Sequence, residues 1–470
     1  MKLIPIVKSI FNNTSNCKKN KPIKSIVLFL SALCINNSFA QINMNLPKIN
    51  TTNFKNIKIY HVQTKSIPSI SISWLFKKLY PADNACISDI AFAMIGKQIS
   101  NYSEEETNNA LSDMGAEFSV SNNKDFIQLN LRTLNSDRDN AIKWLGQAIY
   151  TSVFTQDIFN REKARVLQNV QDQEKDPAYI ANQNLILATH NNHLYSQFCT
   201  SNLAKNVSLM QVRSYYYQQF IALDSPKIIL TGYIAVNEIN NLLEKNILDK
   251  YTNNNTNIHE KSSNENTNNL IKLETPNQYV FNKEIKVINN TYDMDITQSQ
   301  IRMGMPFIQR DNPDIFNIMA GNYILGGGGF NSRLMEALRE KQGFVYGISS
   351  NFMPWENSGL FIIELQTKIN QTQPAIKLVK TTVDDFLVKG INKQELDKAK
   401  KFLLQSFSSR LDTNEKWLSQ LSIIAYYNLP LNYLDTWQQN LNNTTVESVN
   451  NAMRKYLDVN RLNISIVTKQ

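Results

Sequence analysis

The chain has 470 residues, 42% of them hydrophobic and 19% charged, which fits a globular protein too long for one ordinary core. Its formal charge of +9 is misleading, because residues 1–40 hold six lysines and no acid, and the remainder carries 43 basic against 40 acidic residues. A near-neutral body with no basic stripe interleaved with aromatics excludes a nucleic-acid partner.

The leading lysines, up to Lys24, precede an apolar run from Ser25 to Ile35, and Ser38 and Ala40 put small residues where a signal peptidase reads. A signal peptide over 1–40, cut after Ala40, is the expectation, with an uncleaved anchor as the alternative. The run is shorter than the about 20 residues that span a bilayer. Secretion follows, to the periplasm if the cell is a Gram-negative bacterium. Cys17 and Cys34 fall in this leader. Cys86 lies in an apolar helical stretch and is expected to be a buried free thiol, although an oxidising compartment would allow a bond to Cys199.

In the body, residues 57–63 and 67–76 read as strands, the second alternating Ile with Ser. A buried helix is predicted over 85–99, and Ser103 with Glu106 forms a capping box for a helix ending at Gly115. Strands follow at 116–121 and 126–133. Helices are predicted near 137–152, 157–174, 177–192 and 208–221, then a strand at 226–231 and a helix near 235–245. The acidic residues Glu162, Asp172, Glu174 and Asp176 read as a solvated face. From Tyr251 to Asn277 composition turns polar and Asn/Thr-rich, which reads as a solvated linker.

The second half repeats the plan of the first. Strands at 284–288 and 297–306 and a helix at 312–325 come first, then strands at 346–352 and 358–366. Helices at 371–388, 393–410, 413–427 and 445–457 and a strand at 461–467 close the chain. The expected fold is α+β: two homologous domains, 41–250 and 278–470, each an antiparallel sheet with helices packed on one face, joined by the polar linker 251–277.

The stretch Gly326–Tyr346, GGGGFNSRLMEALREKQGFVY, carries the strongest candidate chemistry. Gly326, Gly327, Gly328 and Gly329 suit a flexible turn. Ser332 can cap a helix that Gly343 stops, and a strand follows. Arg339 and Tyr346 flank that helix-to-strand turn, so both can face one cleft and hold a peptide carbonyl. Taken alone, the stretch also fits a surface loop with a solvated arginine. It is not a phosphate loop, since no Gly-Lys-Ser/Thr follows.

Taken together, several motifs resemble the insulinase/pitrilysin family of zinc metallopeptidases, the inverted zincins, in its processing-peptidase branch. They are the SEEE helix start at Ser103, LSDMGAEFS at Leu111–Ser119, FNREKARVLQNVQDQEKDPAYIA at Phe159–Ala181, HLY at His193–Tyr195 and NSRLMEALREKQGFVYGISS at Asn331–Ser350. The resemblance implies that Arg339 and Tyr346 contact substrate. Active members carry H-x-x-E-H on the first long helix, where two imidazoles bind zinc and the glutamate activates water. The corresponding helix is Ala85–Gly96, and the motif positions hold Asp89, Phe92 and Ala93. Near the third-ligand position stand Gln168, Asn169 and Gln171. Of the four histidines, His61, His190, His193 and His259, no two are four apart. His190 and His193 are expected to make surface or interdomain hydrogen bonds.

The resemblance therefore implies a chain that is not catalytic alone and needs no cofactor of its own. It would be the zinc-free, substrate-binding subunit of a metalloendopeptidase complex, with zinc on a partner that bears H-x-x-E-H, and peptides or unfolded polypeptide as substrate. The alternative is a structural or peptide-binding scaffold of the cell envelope with no role in proteolysis. The retained Arg339 and Tyr346 argue against a pure scaffold. A stand-alone zinc site would need Asp89 to meet His190 or His193 across the fold.

Overall fold

Period-two apolar patterns become two sheets in the computed structural model, which describes residues 46–54, 56–64, 68–100, 102–222, 226–248, 270–277 and 288–469. The predicted leader, the bulk of the predicted linker, His259 and most of the strand predicted at 284–288 lie outside the described residues. Among the described residues no helix is long and apolar enough to cross a membrane.

The first sheet contains β1 (Ile49–Phe54), β2 (Ile57–Gln63), β3 (Ser69–Lys77), β5 (Glu117–Asn122), β6 (Phe126–Leu134) and β7 (Lys227–Gly232). The short β4 (Tyr80–Pro81) stands apart and pairs with β8 (Leu273–Glu274). The second sheet contains β9 (Asn289–Asp293), β10 (Gln298–Phe307), β11 (Val345–Met353), β12 (Gly359–Lys368) and β13 (Asn463–Thr468). Their orders are β1-β2-β7-β3-β6-β5 and β11-β12-β10-β13-β9. Apart from β1, the two orders match strand for strand, so the duplication suggested by the element pattern is present in the topology. Each sheet is antiparallel except for one parallel pair, β2 with β7 and β13 with β9.

The linker expectation needs correcting at its end. Ala82 N–H donates to Lys272 O, and Ile271 and Leu273 pack on the first core. Residues 270–274 are therefore docked chain rather than solvated linker, and their apolar members are the reason. The second correction is Cys86: it is bonded to Cys199, with Cα atoms 4.6 Å apart. The disulfide ties the start of helix Cys86–Met94 to the segment before helix Ser201–Lys205.

Helices cover both faces of each sheet, because each half lends one helix to the other. Helix Pro177–Thr189 packs on β10 and β13, and helix Asn414–Tyr426 packs on β3 and β7. Leu185 and Ile186 bury against Leu360 and Ile362 of β12, and Ile180 and Ala181 against Val467. Each fully buried aliphatic side chain is worth about 2 kcal/mol. The reciprocal contact is polar. The serines of β3, Ser69, Ser71 and Ser73, alternate with Ile70 and Ile72 but are buried all the same. Asn414 lies over them: its Nδ2 donates to Ser69 O (3.1 Å) and Ser69 Oγ (3.0 Å). Its Oδ1 accepts from Thr64 Oγ1 at 2.6 Å, and Thr231 Oγ1 donates to its carbonyl at 2.9 Å. Gln128 Nε2 donates to Ser422 Oγ at 2.7 Å.

Asp125, in the turn between β5 and β6, joins the halves a second time. Its carboxylate accepts from the hydroxyls of Tyr195 and Tyr427 and from Glu356 N–H. Three chain segments thus converge on one buried anion.

Removing the Asn414 side chain strands the buried polar groups of Ser69 and Thr64, while the main-chain carbonyl that Thr231 uses stays in place. Asn414→Ala should cost about 2 kcal/mol in urea unfolding, whereas Asn202→Ala, on an exposed helix surface, should stay within about 0.5 kcal/mol. Equal effects would contradict a structural role for the buried polar seam.

Candidate functional site

Two places carry the residues singled out by sequence, and the structure treats them differently. On helix Cys86–Met94 the core face holds Cys86, Ile87, Ile90, Ala91 and Met94. Phe92 stands edge-on to Tyr215 and Phe220, at centroid distances of 5.9 and 6.3 Å, so aromatic packing fills the position of a catalytic carboxylate. Ala93 offers a methyl group. Asp89 is half-buried and accepts a long bond from Asn122 Nδ2, 3.4 Å away. Its charged neighbours are cations: Lys78, which follows β3, and Lys124, in the β5–β6 turn.

Burial holds the Asp89 carboxyl above the usual range, and both lysines oppose that shift. Burial pushes Lys78 down to about 8, against the pull of Asp89 and Asp125. Lys124 falls to about 7, first through burial and then through repulsion from Lys78. Of the third-ligand candidates, Gln168 and Asn169 are exposed, and Gln168 Nε2 donates to Asp172 Oδ1. Helix Gln156–Gln173 turns Phe159, Glu162, Val166 and Val170 inward instead.

Glu162 departs from the solvated-face expectation: it is buried, 2.7 Å from Arg165 and 3.4 Å from Arg161. Asp176 caps helix Pro177–Thr189, and Glu174 accepts from Ser201 N–H. A carboxylate, a phenyl ring and a methyl group beside two ammonium groups do not fit zinc, which wants three protein ligands and water. Among the described residues no three His, Cys, Asp or Glu side chains gather as a metal site.

His190 is fully buried at the joint between the halves, its Nε2 3.2 Å from Ser358 Oγ. Interdomain hydrogen bonding, expected from sequence, describes it. His193 Nδ1 accepts from Tyr195 N–H, so Nε2 carries the proton that it donates to Asn277 O. Neither imidazole replaces a lysine as neighbour of Asp89.

The Gly326–Tyr346 stretch is more ordered than a flexible turn. Helix Ile315–Asn322 continues as a wider turn, Tyr323–Gly327, that takes in the first two glycines. A Cβ on Gly326 would lie 2.4 Å from Ser350 Oγ, and one on Gly328 2.7 Å from Tyr323 O. Close packing requires both glycines, Gly326 against β11 and Gly328 against the preceding turn of its own helix. Of the four glycines only Gly329, with φ +57°, turns the chain into the left-handed region, as Gly343 does at the end of the next helix with φ +63°. Ser332 then caps the next helix by accepting from Met335 N–H, and Gly343 N–H closes it by donating to Arg339 O.

This frame brings Arg339 and Tyr346 together, with the guanidinium 5.0 Å from the Tyr346 ring centre. Sequence reasoning missed the third member. It is Phe330, whose ring centre lies 4.6 Å from the same guanidinium. Phe330 is 64% exposed and Tyr346 87%. Stacking orients the guanidinium plane and leaves its edge donors available. Arg333, by contrast, is committed to Glu395 in a two-pronged pair. Among the described residues no carboxylate lies within 4 Å of Arg339.

Comparison with known proteins gives two family matches in tandem: "Insulinase (Peptidase family M16)" over residues 81–200 and "Peptidase M16 inactive domain" over 206–403. The non-peptidase homolog YmxG of Helicobacter pylori is 27% identical, over 77% of this chain and 79% of that one. An uncharacterized zinc protease, YmxG of Bacillus subtilis, is 22% identical over 71% and 76%. Among solved structures, a peptidase M16 inactive domain from Pseudomonas fluorescens shares the fold with a TM-score of 0.77 at 24% identity, covering 90% of this chain and 98% of that one. The periplasmic protease PqqL from Escherichia coli gives a TM-score of 0.71 at 14% identity, covering 90% of this chain and 46% of that one.

A buried histidine that is neutral in the fold lets the unfolded chain take up the extra proton, so its stability contribution is full above pH 6.5 and falls in acid. Burial pushes His190 down to about 3 and His61 to about 4. Asp89 and Asp125, held high by burial, act in the opposite sense, so the test is a difference. Between pH 6.5 and 4, His190→Gln should lose stability less steeply than the natural chain, by about 1 kcal/mol per pH unit in urea unfolding. Identical slopes would show that His190 takes up its proton in the fold.

Proposed function

The chain belongs to the insulinase family, peptidase family M16, and we propose that it acts there as a zinc-free subunit that binds substrate for a catalytic partner. The observation that carries this reading is the contrast between the two sites. The zinc-motif positions hold Asp89, Phe92 and Ala93, while Arg339 lies against two exposed rings with its donors available. A chain that has lost the metal residues and keeps an exposed, stacked arginine is suited to holding peptide rather than cutting it.

In this reading the partner bears H-x-x-E-H and supplies metal, water and general base. This chain contributes Arg339, whose planar donors take carbonyl oxygens of an extended peptide, and Tyr346, whose hydroxyl adds one more. Gly326–Gly329 hold Phe330 and the following helix in place. The name of the Helicobacter pylori relative, a non-peptidase homolog, supports the loss of catalysis on this chain. A disulfide supports an oxidising compartment, and the fold likeness to a periplasmic protease is consistent with the address expected from the leader.

The test is the activity of the reconstituted pair. Arg339→Ala should lower kcat/KM of the complex about 100-fold, and Arg339→Lys should recover little of it, because an ammonium lacks the planar fork. Tyr346→Phe should cost about tenfold. Full activity with Arg339→Ala and Tyr346→Phe combined would remove the substrate-binding role.

A further inference from the structure

Beyond the glycine turn, a second exposed ring stands beside a second cation. Gly328 lies against the ring of Tyr323, since a Cβ there would come within 3.1 Å of Tyr323 Cε1 and Cζ. Phe402 packs on the same ring, with the two centroids 4.9 Å apart. Tyr323 is thereby buried, while Phe402 itself stays 51% exposed. Phe402 belongs to helix Lys393–Phe407, whose core face is Leu396, Ala399, Leu403 and Phe407. Lys398, four residues before Phe402, shares its outward face and is exposed. The nearest acids in sequence are committed elsewhere, Glu395 to Arg333 and Asp397 to Lys393. Among the described residues no carboxylate lies within 4 Å of the Lys398 ammonium.

This helix is fixed to the frame that carries Arg339. Glu395 accepts both prongs of the Arg333 guanidinium at 2.8 Å, and Arg333 begins the helix that runs to Lys341. Glu395, Lys398 and Phe402 follow one another along a single stripe of their helix, so the pair from Arg333 brings that stripe beside the glycine turn. The surface therefore continues from Tyr346 and Arg339 to Phe330, across the backbone of Gly328 to Tyr323, and on to Phe402 and Lys398. Single exposed rings are ordinary, but a contiguous run of them marks a binding surface. Its two cations lack acidic partners. A ligand that complements this surface brings bulky apolar side chains and negative charge together.

We propose that Lys398 and Phe402 form a second subsite for the peptide held by Arg339, Lys398 taking the carboxylate of an acidic residue and Phe402 the side chain of a bulky apolar residue next to it. The substrate class is then an extended peptide that carries an acidic–apolar pair, and basic peptides are disfavoured by Arg339 and Lys398 together. The inference rests on the peptide-binding reading above and adds the chemistry that the peptide must present.

The experiment is isothermal titration calorimetry of the whole disulfide-bonded chain at low salt. The probes are short, acetylated and amidated Gly/Ser peptides that carry one Glu-Phe, one Gln-Phe or one Glu-Gly pair. The Glu-Phe peptide should bind about fivefold tighter than Gln-Phe and about tenfold tighter than Glu-Gly. Lys398→Gln should bring Glu-Phe to the level of Gln-Phe, Lys398→Arg should keep the preference, and Phe402→Ala should bring Glu-Phe to the level of Glu-Gly. Lys205→Gln, an exposed lysine of the first half, should change nothing. Lys398 and Phe402 are both exposed, so these substitutions leave the core in place, and circular dichroism checks the fold. Arg339→Ala should weaken all three peptides and leave their order. Equal binding of the three peptides by the unaltered chain overturns the subsite and leaves the peptide-binding reading standing. A preference that survives both Lys398→Gln and Phe402→Ala also overturns it, and binding of none of the peptides overturns both readings.

Discussion

Each half of this protein completes the other by lending a helix. Helix Pro177–Thr189 lies on the second sheet and helix Asn414–Tyr426 on the first, so neither sheet is fully covered without its counterpart. The two contacts differ in kind. One buries Leu185 and Ile186 against Leu360 and Ile362, and draws on the nondirectional hydrophobic effect. The other buries Ser69, Ser71 and Ser73, with Ser69 bonded to Asn414 and Ser71 to Glu415, and is directional. Apolar contact supplies affinity between the halves, and the polar seam fixes their register, because a small slip would leave several buried groups unpaired.

That clamp explains which parts of the molecule were readable from sequence. The capping box of Ser103 and Glu106, the Ile/Ser alternation of β3 and the helix phases follow from local sequence, and most element positions agree to within a few residues. Period two identifies one face of β3 as polar but cannot tell that a helix from the other half buries it. β9, Asn289–Asp293, has no apolar residue facing a core, so its pairing with β13 left no pattern to read. β1 is nearly as polar, with Phe54 alone buried in the core. Helix Tyr433–Asn442 did leave a signal, with Leu434, Trp437 and Leu441 on one face, and it went unused behind Pro430. The disulfide between Cys86 and Cys199 spans 113 residues, and its geometry depends wholly on the fold.

The candidate site was legible in part for the same reason. Arg339 and Tyr346 sit in one continuous stretch, so their proximity follows from a helix, a stop and a strand. Phe330 belongs to the same stretch, but its stacking depends on Gly329 taking the left-handed conformation. The glycines looked like freedom and proved to be close packing, since only the contact with Ser350 reveals why Gly326 has no side chain. Lys78 and Lys124 were beyond reach: they are 46 residues apart, and only the fold makes both of them charged neighbours of Asp89. One chain thus keeps Arg339 and Tyr346 side by side while Asp89, Phe92 and Ala93 occupy the zinc-motif positions.

The measurement that tests the account most directly is affinity purification of the tagged protein from its native cells, with mass spectrometry of what accompanies it. The account predicts one chain bearing H-x-x-E-H, near one-to-one, and peptidase activity that appears only when both chains are present. Recovery of this protein alone, or with envelope proteins unrelated to peptidases, would contradict the partner-subunit reading and leave a peptide-binding scaffold in its place.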